Sequence, residues 1–372
     1  MSKANVLISK HQNRDFGCQA APVSRAYVFK CRRLVPWLYH FAVSIAVAVT
    51  GSGTLLSHAN AGERTSLGLP VDCKLRLDCF VQQLPDVDPG QGTLDPLCGQ
   101  ATYQGHTGWD IRLRSFSDIA QDVPVIAVAD GTVSRLRDGV PDQIFEAAND
   151  RLRLKDKECG NGIIIDHQDG LSSQYCHLKN GSLSVRSGAQ VRKGERIGAI
   201  GSSGLAEFPH VHLSVRLDGK LVEPLTGKPL GLETHVCGDL SASLLDATSR
   251  EALVHPTVAI LDVGLAAAPP ELTNLVRAGG PPLATARSSS TVAWLWAINV
   301  DEGSRFRIRL VGPGQVPLID HTTNALPRRK ANYLAYVGRK TGVKSGTYHL
   351  TAEITNGEKK VISKARSLTV SE

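Results

Sequence analysis

Several protein classes are excluded by what this chain lacks. Only 21% of its 372 residues are charged and 42% are hydrophobic, so it is not a disordered, solvating chain. It has no long internal repeat and no low-complexity tract. Aromatic residues make up only 5%, against 35 glycines, a balance that fits β structure with many tight turns. Paired CxxC spacing is absent, which argues against a cysteine-bound zinc site. Gly194, Gly198, Gly201 and Gly204 lack the strand–GxxxxGK[ST]–helix context of a phosphate loop and read as turns. The formal charge of +7 is concentrated at the N-terminus. Residues 1–61 hold seven Lys or Arg and the single acid Asp15, and removing them leaves 35 basic and 34 acidic residues. The remaining chain has no general reason to bind nucleic acid or other polyanions.

Residues 1–61 read as a leader with a secretory signal. Lys30, Arg32 and Arg33 form the basic region, Leu34 to Val49 the apolar stretch, and Ala59-Asn60-Ala61 the small-x-small cleavage site. The alternative is an uncleaved anchor in the inner membrane, although the apolar run is short for a span of ~20 residues. Cys18 and Cys31 fall in the leader; Cys73, Cys79, Cys98, Cys159, Cys176 and Cys237 remain. An even number in an exported chain favours disulfides. Residues 159 and 176 flank a strand–turn–strand pattern around Gln168-Asp169-Gly170, so a Cys159–Cys176 bond is expected, with position 159 or 160 opposite 176. The other four cysteines are then left to pair among themselves in one of three ways.

Residues 62–104 read as an irregular, cysteine-containing lead-in segment. Residues 105–237 alternate short apolar runs with Asp130-Gly131, Asp169-Gly170, Asn180-Gly181 and Asp218-Gly219, all turn dipeptides. Pro141 to Lys157 is more charged and reads as a short helix or an inserted loop. Residues 238–254 have linker character. From 255 to 372 alternation returns: Phe306, Ile308 and Leu310 against Arg305, Arg307 and Arg309, and Tyr348, Leu350, Ala352 and Ile354 against His349, Thr351 and Glu353. About seven strands are expected there, in an immunoglobulin-like β-sandwich. The fold class is mainly β.

Three fragments carry chemistry: His106-Thr107-Gly108-Trp109-Asp110, Tyr175-Cys176-His177-Leu178 and Pro209-His210-Val211-His212-Leu213. In a strand, residues two apart share a face, so His210 and His212 would point into one cleft while Val211, Leu213 and Val215 enter the core. His106 and Asp110 would also share a face if that stretch is extended. Two imidazoles and a carboxylate make a three-ligand set that leaves one zinc position open, the layout of a catalytic site. His167, His235, His255, His321 and His349 lack such context and read as surface or capping residues.

The fragments, in this order, resemble those of the lysostaphin-type (LytM-type) zinc endopeptidases. Pro124 to Val133, Gly160 to His167, Val191 to Gly198 and Gly201 to Gly204 match as well, so the resemblance spans about residues 100–217, roughly a third of the chain. It implies an antiparallel sheet with a central groove, and one zinc ion held by His106, Asp110 and His212. His177 and His210 would stay off the metal and move protons, in an order the sequence leaves open. Zinc would activate a water and polarise the scissile carbonyl. Tyr103, three residues before His106, reads as a packing residue or as a donor to the oxyanion. Cys176 departs from the small or polar residue usual before this histidine. The implied function is hydrolysis of peptidoglycan stem or cross-link peptides in the periplasm or at the cell wall. The alternatives are a cell-wall module that activates an amidase, and a secreted peptidase acting on proteins. The C-terminal domain would serve for docking to wall, membrane or partner protein, or would cap the cleft.

Overall fold

The computed structural model describes residues 65–145, 154–231, 237–255 and 257–372. The leader expected over 1–61 lies outside them, as do His235 and part of the charged stretch from Pro141 to Lys157. Among the described residues no helix is long and apolar enough to cross a membrane.

Strand β1 (Phe80–Gln83) precedes β2 (Trp109–Arg112), β3 (Pro124–Ile126) and β4 (Gly131–Arg137). Then come β5 (Asn161–Asp166), β6 (Leu171–Leu178), β7 (Gln190–Val191), β8 (Arg196–Ala199), β9 (His210–Leu217), β10 (Lys220–Glu223) and β11 (Lys228–Pro229). One antiparallel sheet runs β1-β2-β9-β6-β5-β4-β7, with β10 and β11 added beside β9, while β3 and β8 form a separate pair. Alternation explains the burial. Trp109, Ile111, Val211, Leu213, Val215 and Tyr175 are all buried and belong to one apolar cluster beneath the sheet.

Two of the four turn dipeptides close hairpins. Asp169 and Gly170 (φ 56° and 73°) join β5 to β6, and Asp218 and Gly219 (φ 50° and 77°) join β9 to β10, the paired positive φ of a type I′ turn. Asp130-Gly131 does not close one, because β3 pairs with β8 while β4 pairs with β5 and β7. The lead-in segment is irregular but contributes β1, which a four-residue Phe-Val-Gln-Gln run could not announce. Asp95 organises the rest of it by accepting backbone N–H bonds from Leu97, Gly99 and Ala101.

Among the described residues the disulfides are Cys73–Cys79, Cys98–Cys237 and Cys159–Cys176, the last with Cα atoms 4.8 Å apart. The Cys159–Cys176 pairing is as expected, but the register is not. Asn161 faces Leu178 and Ile163 faces Tyr175, so Gly162, not residue 159 or 160, lies opposite the 176–177 stretch. Cys159 reaches Cys176 because the chain folds back before β5, where the His177 amide donates to the Cys159 carbonyl at 2.8 Å. Gly162 leaves the room, since a Cβ there would come within 2.7 Å of the Cys159 sulfur.

The segment 238–254 carries helix α1 (Ala247–Leu253), capped by the Asp246 side chain on the Ser249 amide, and buries Leu244, Leu245 and Leu253 in the first core. Beyond it lie β12 (Ala259–Ala266), helix α2 (Leu272–Ala278), β13 (Thr291–Val300), β14 (Ser304–Gly312), β15 (Val316–Thr322), β16 (Lys330–Arg339), β17 (Gly346–Asn356) and β18 (Lys359–Val370). They make a three-stranded sheet, β12-β13-β16, and a four-stranded sheet, β15-β14-β17-β18, around a second core that includes Phe306, Ile308, Leu310, Tyr348 and Leu350. On the other face of the three-stranded sheet, Trp294 and Trp296 join a third cluster with Phe80 of β1. Burying Phe80 there contributes roughly 1.5–3 kcal/mol. Arg114 crosses between the two regions as well, donating to Asp262 at 3.0 Å.

Candidate metal centre and the histidines beside it

Pairing of β2 with β9 sets Asp110 directly opposite His212, and Arg112 opposite His210. The Nδ1 atom of His212 lies 2.8 Å from an Asp110 oxygen, and Nε2 of His106 lies 3.1 Å from the other. The two histidine nitrogens are 3.4 Å apart. His106 lies just before β2, so only Trp109 and Asp110 of the 106–110 stretch belong to the strand. His106 closes the turn that opens at Tyr103, its amide bonded to the Tyr103 carbonyl. Gly108 makes the approach possible, because a Cβ there would fall 2.5 Å from Nε2 of His212.

Each imidazole is oriented by its second nitrogen. Nδ1 of His106 donates to the Leu84 carbonyl at 2.8 Å, which leaves Nε2 with a lone pair facing Asp110. Nε2 of His212 lies 2.9 Å from the Ser214 hydroxyl and leaves Nδ1 facing the cluster. One donor atom from each of His106, Asp110 and His212 falls within a mutual 4.8 Å. Donors around a tetrahedral zinc at about 2.0 Å stand about 3.3 Å apart. The nitrogen and oxygen donor set and its spacing therefore suit a small divalent ion.

His177 and His210 adjoin this set with ring centroids 4.5 Å apart, and His177 is 6.2 Å from His212. Nδ1 of His177 donates to the Ser203 carbonyl and Nδ1 of His210 to that of Phe208, both at 2.8 Å. Both therefore carry an Nε2 able to accept a proton. Burial, reinforced by His210 and His212, holds the His177 pKa well below the usual histidine range. Burial likewise lowers that of His210, with Asp110 opposing. Burial opposes charge on His106 too, but the Asp110 carboxylate prevails and raises its pKa. Burial would raise the Asp110 pKa, yet the flanking histidines hold it well below the carboxylate range.

All five candidate residues named from the sequence, His106, Asp110, His177, His210 and His212, thus meet in one place. The Tyr103 ring lies tilted against that of His106, centroids 4.6 Å apart. His167 is elsewhere, bonding the Asp130 carbonyl and the Ser173 hydroxyl. Leu84, Ser203 and Phe208 went unnoticed because they act through backbone carbonyls, which any residue type supplies. Arg112, buried beside Phe208, carried no signal either.

Residues 104–224 match the model of peptidase family M23. An uncharacterized metalloprotease of Haemophilus influenzae is 34% identical over 110 residues, covering 30% of this chain and 19% of its own length. The DD-carboxypeptidase/endopeptidase Mpg of Neisseria meningitidis serogroup B is 30% identical over 125 residues, covering 34% of this chain and 23% of its own. The lipoprotein NlpD of Yersinia enterocolitica is 36% identical over 89 residues, which cover 23% of this chain and 89% of NlpD. The chain spans about a fifth of the length of the first two relatives. Through the domain at residues 104–224, the chain belongs to peptidase family M23.

Proposed function

We propose that the chain is a zinc-dependent endopeptidase that hydrolyses peptide bonds in peptidoglycan stem or cross-link peptides. The observation that carries this reading is that His177 and His210 sit beside a complete three-donor set, each with Nδ1 bonded to a backbone carbonyl and Nε2 able to take up a proton, that of His210 3.6 Å from Asp110. Nε2 of His106, a carboxylate oxygen of Asp110 and Nδ1 of His212 would hold one zinc ion. Zinc in such a set supplies Lewis-acid activation of water and of a carbonyl.

The chain's own residues supply the proton transfers and the alignment. His177 and His210, kept neutral by burial, accept the proton of the attacking water at Nε2 and return it to the leaving amine. Once protonated, either imidazole stabilises the oxyanion of the tetrahedral intermediate. Asp110 remains ionised and so offers its charge throughout. The substrate class follows from the relatives, among them Mpg, whose name records a DD-carboxypeptidase/endopeptidase. Export is proposed on the signal-like leader and on three disulfides, which persist in an oxidising compartment. We retain residues 105–237 as the peptidase domain and 255–372 as a β-sandwich domain with its own core.

One observation favours a second reading. A Salmonella typhimurium relative 39% identical over 70 residues is named a murein hydrolase activator. Incubating purified protein with sacculi, with casein, and with sacculi plus an amidase separates the alternatives. The endopeptidase reading expects soluble fragments from sacculi alone. Release only when the amidase is present would support the activator, and release from casein alone a peptidase of ordinary proteins.

A further inference from the structure

A column of side chains in contact, its ring pairs tilted, runs from the C-terminal sandwich to the two histidines that would move protons. The Arg112 guanidinium carbon lies 5.4 Å from the ring centre of Trp296, on β13, and 4.5 Å from that of Phe208. The Phe208 and His210 rings follow at 4.7 Å, and His210 and His177 at 4.5 Å. Trp296 is thus four contacts from His177, although 119 positions separate them in sequence.

The middle of this column is chemically unusual. Arg112 is fully buried, and among the described residues no carboxylate is within ion-pair reach of it. Burial pushes its pKa down to about 9, with the Asp118 carboxylate opposing. Its N–H groups go to neutral acceptors instead: Nε to the Leu113 carbonyl at 2.9 Å, and the two terminal nitrogens to Gln82 Oε1 at 2.8 Å and the Arg114 carbonyl at 3.0 Å. Burying a cation without a directly paired carboxylate is costly, and an apolar side chain of similar bulk would pack at lower cost. What the guanidinium adds is a plane fixed by three hydrogen bonds, with a face that attracts both aromatic rings.

A second tie runs from the sandwich to β1. Asn299 donates to the Gln82 carbonyl at 2.9 Å, and the Gln82 side chain donates to the Ala331 carbonyl of β16 at 3.1 Å. The same Gln82 side chain accepts from Arg112, and Leu84, two residues on, orients His106.

We propose that the sandwich is a positioning module for the site, in which Trp296, acting through Arg112 and Phe208, fixes the imidazole of His210. Trp296 and Arg112 are positioning residues, since they act on His210 through Phe208. What His210 does rests on the peptidase reading; how it is held does not.

The test uses the full chain labelled with 15N-histidine, long-range 15N–1H spectra of the imidazoles, and kcat and KM on a peptide substrate. Three variants are compared: Trp296→Leu, Trp296→Phe and Phe208→Leu. Wild-type His210 should show the single Nδ1–H tautomer. In Trp296→Leu and Phe208→Leu that pattern should average between tautomers, and kcat should fall by on the order of 10- to 10²-fold with KM within about twofold. His167, held by its own partners, should not move, and Trp296→Phe should restore most of both properties. An unchanged His210 pattern in both leucine variants overturns the proposal. So does movement of every histidine together, which would mean that Trp296 merely supports the fold. If Trp296→Leu does not fold, Phe208→Leu decides, because that ring is only half-buried. A wild-type chain that cuts no peptide while His210 responds as expected would defeat the peptidase reading and leave the positioning intact.

Discussion

His177 and His212 reach one face of the sheet by different rules. His212 follows strand alternation: it lies opposite Cys176 across β6 and β9, and opposed residues share a face. By the same alternation His177, next to Cys176, would turn into the core with Tyr175. Instead its backbone is left-handed, with φ 62°, at a register irregularity between β5 and β6. For a non-glycine residue this conformation costs on the order of 1–3 kcal/mol and persists only where the surroundings impose it. Here they do: the amide bonds the Cys159 carbonyl and the ring bonds the Ser203 carbonyl.

If His106, Asp110 and His212 hold the metal, the purified protein should contain close to one zinc per chain. His212→Ala should lose most of it, because two remaining ligands hold zinc poorly. Metal analysis by plasma mass spectrometry reads this directly. Full retention in the variant would remove His212 from the ligand set.

His177→Ala should behave differently. A proton-transfer residue outside the ligand set should leave the zinc in place and lower kcat by roughly 10²-fold or more. Zinc loss equal to that of His212→Ala would assign His177 to the metal, and near-normal turnover would remove it from the chemistry.

The Cys159–Cys176 disulfide holds the bulge that turns His177. A paired Cys159→Ser and Cys176→Ser variant should lose on the order of 3 kcal/mol of stability in the chain-entropy model, for a sequence separation of 17. It should also lose kcat while keeping its zinc. Denaturant unfolding and metal content together check this; an unaltered kcat would show that the bulge holds without the bond.

The pH response has a definite sign. Burial lowers the folded-state pKa of both His177 and His210 below their unfolded value of about 6.5. Their contribution to stability is therefore complete above about pH 6.5 and is lost as pH falls toward the folded values, because the unfolded chain takes up protons first. The acid limb of kcat should lie below about 6.5 for the same reason. A pH–rate profile with its acid limb above that value would contradict neutral, buried proton acceptors.

What the sequence disclosed depends on the range of the interaction. The alternation around His210 and His212 placed both on β9, and Asp169-Gly170 announced its hairpin, because these are local patterns. The facing of His106 depends on more than its spacing from Asp110, since His106 lies before β2, where the turn opening at Tyr103 ends. The inward parity of His177 and its reversal by a bulge depend on Cys159 and Ser203, residues 18 and 26 positions away. The column through Arg112 to Trp296 joins segments distant in sequence and leaves no period to detect.

The most direct measurement is mass spectrometry of muropeptides after sacculi are digested with the purified protein. The proposed function predicts new products whose masses report hydrolysis of a stem or cross-link peptide bond, lost with a chelator and restored by added zinc. Protein that carries a full complement of zinc and yields no such product would contradict it.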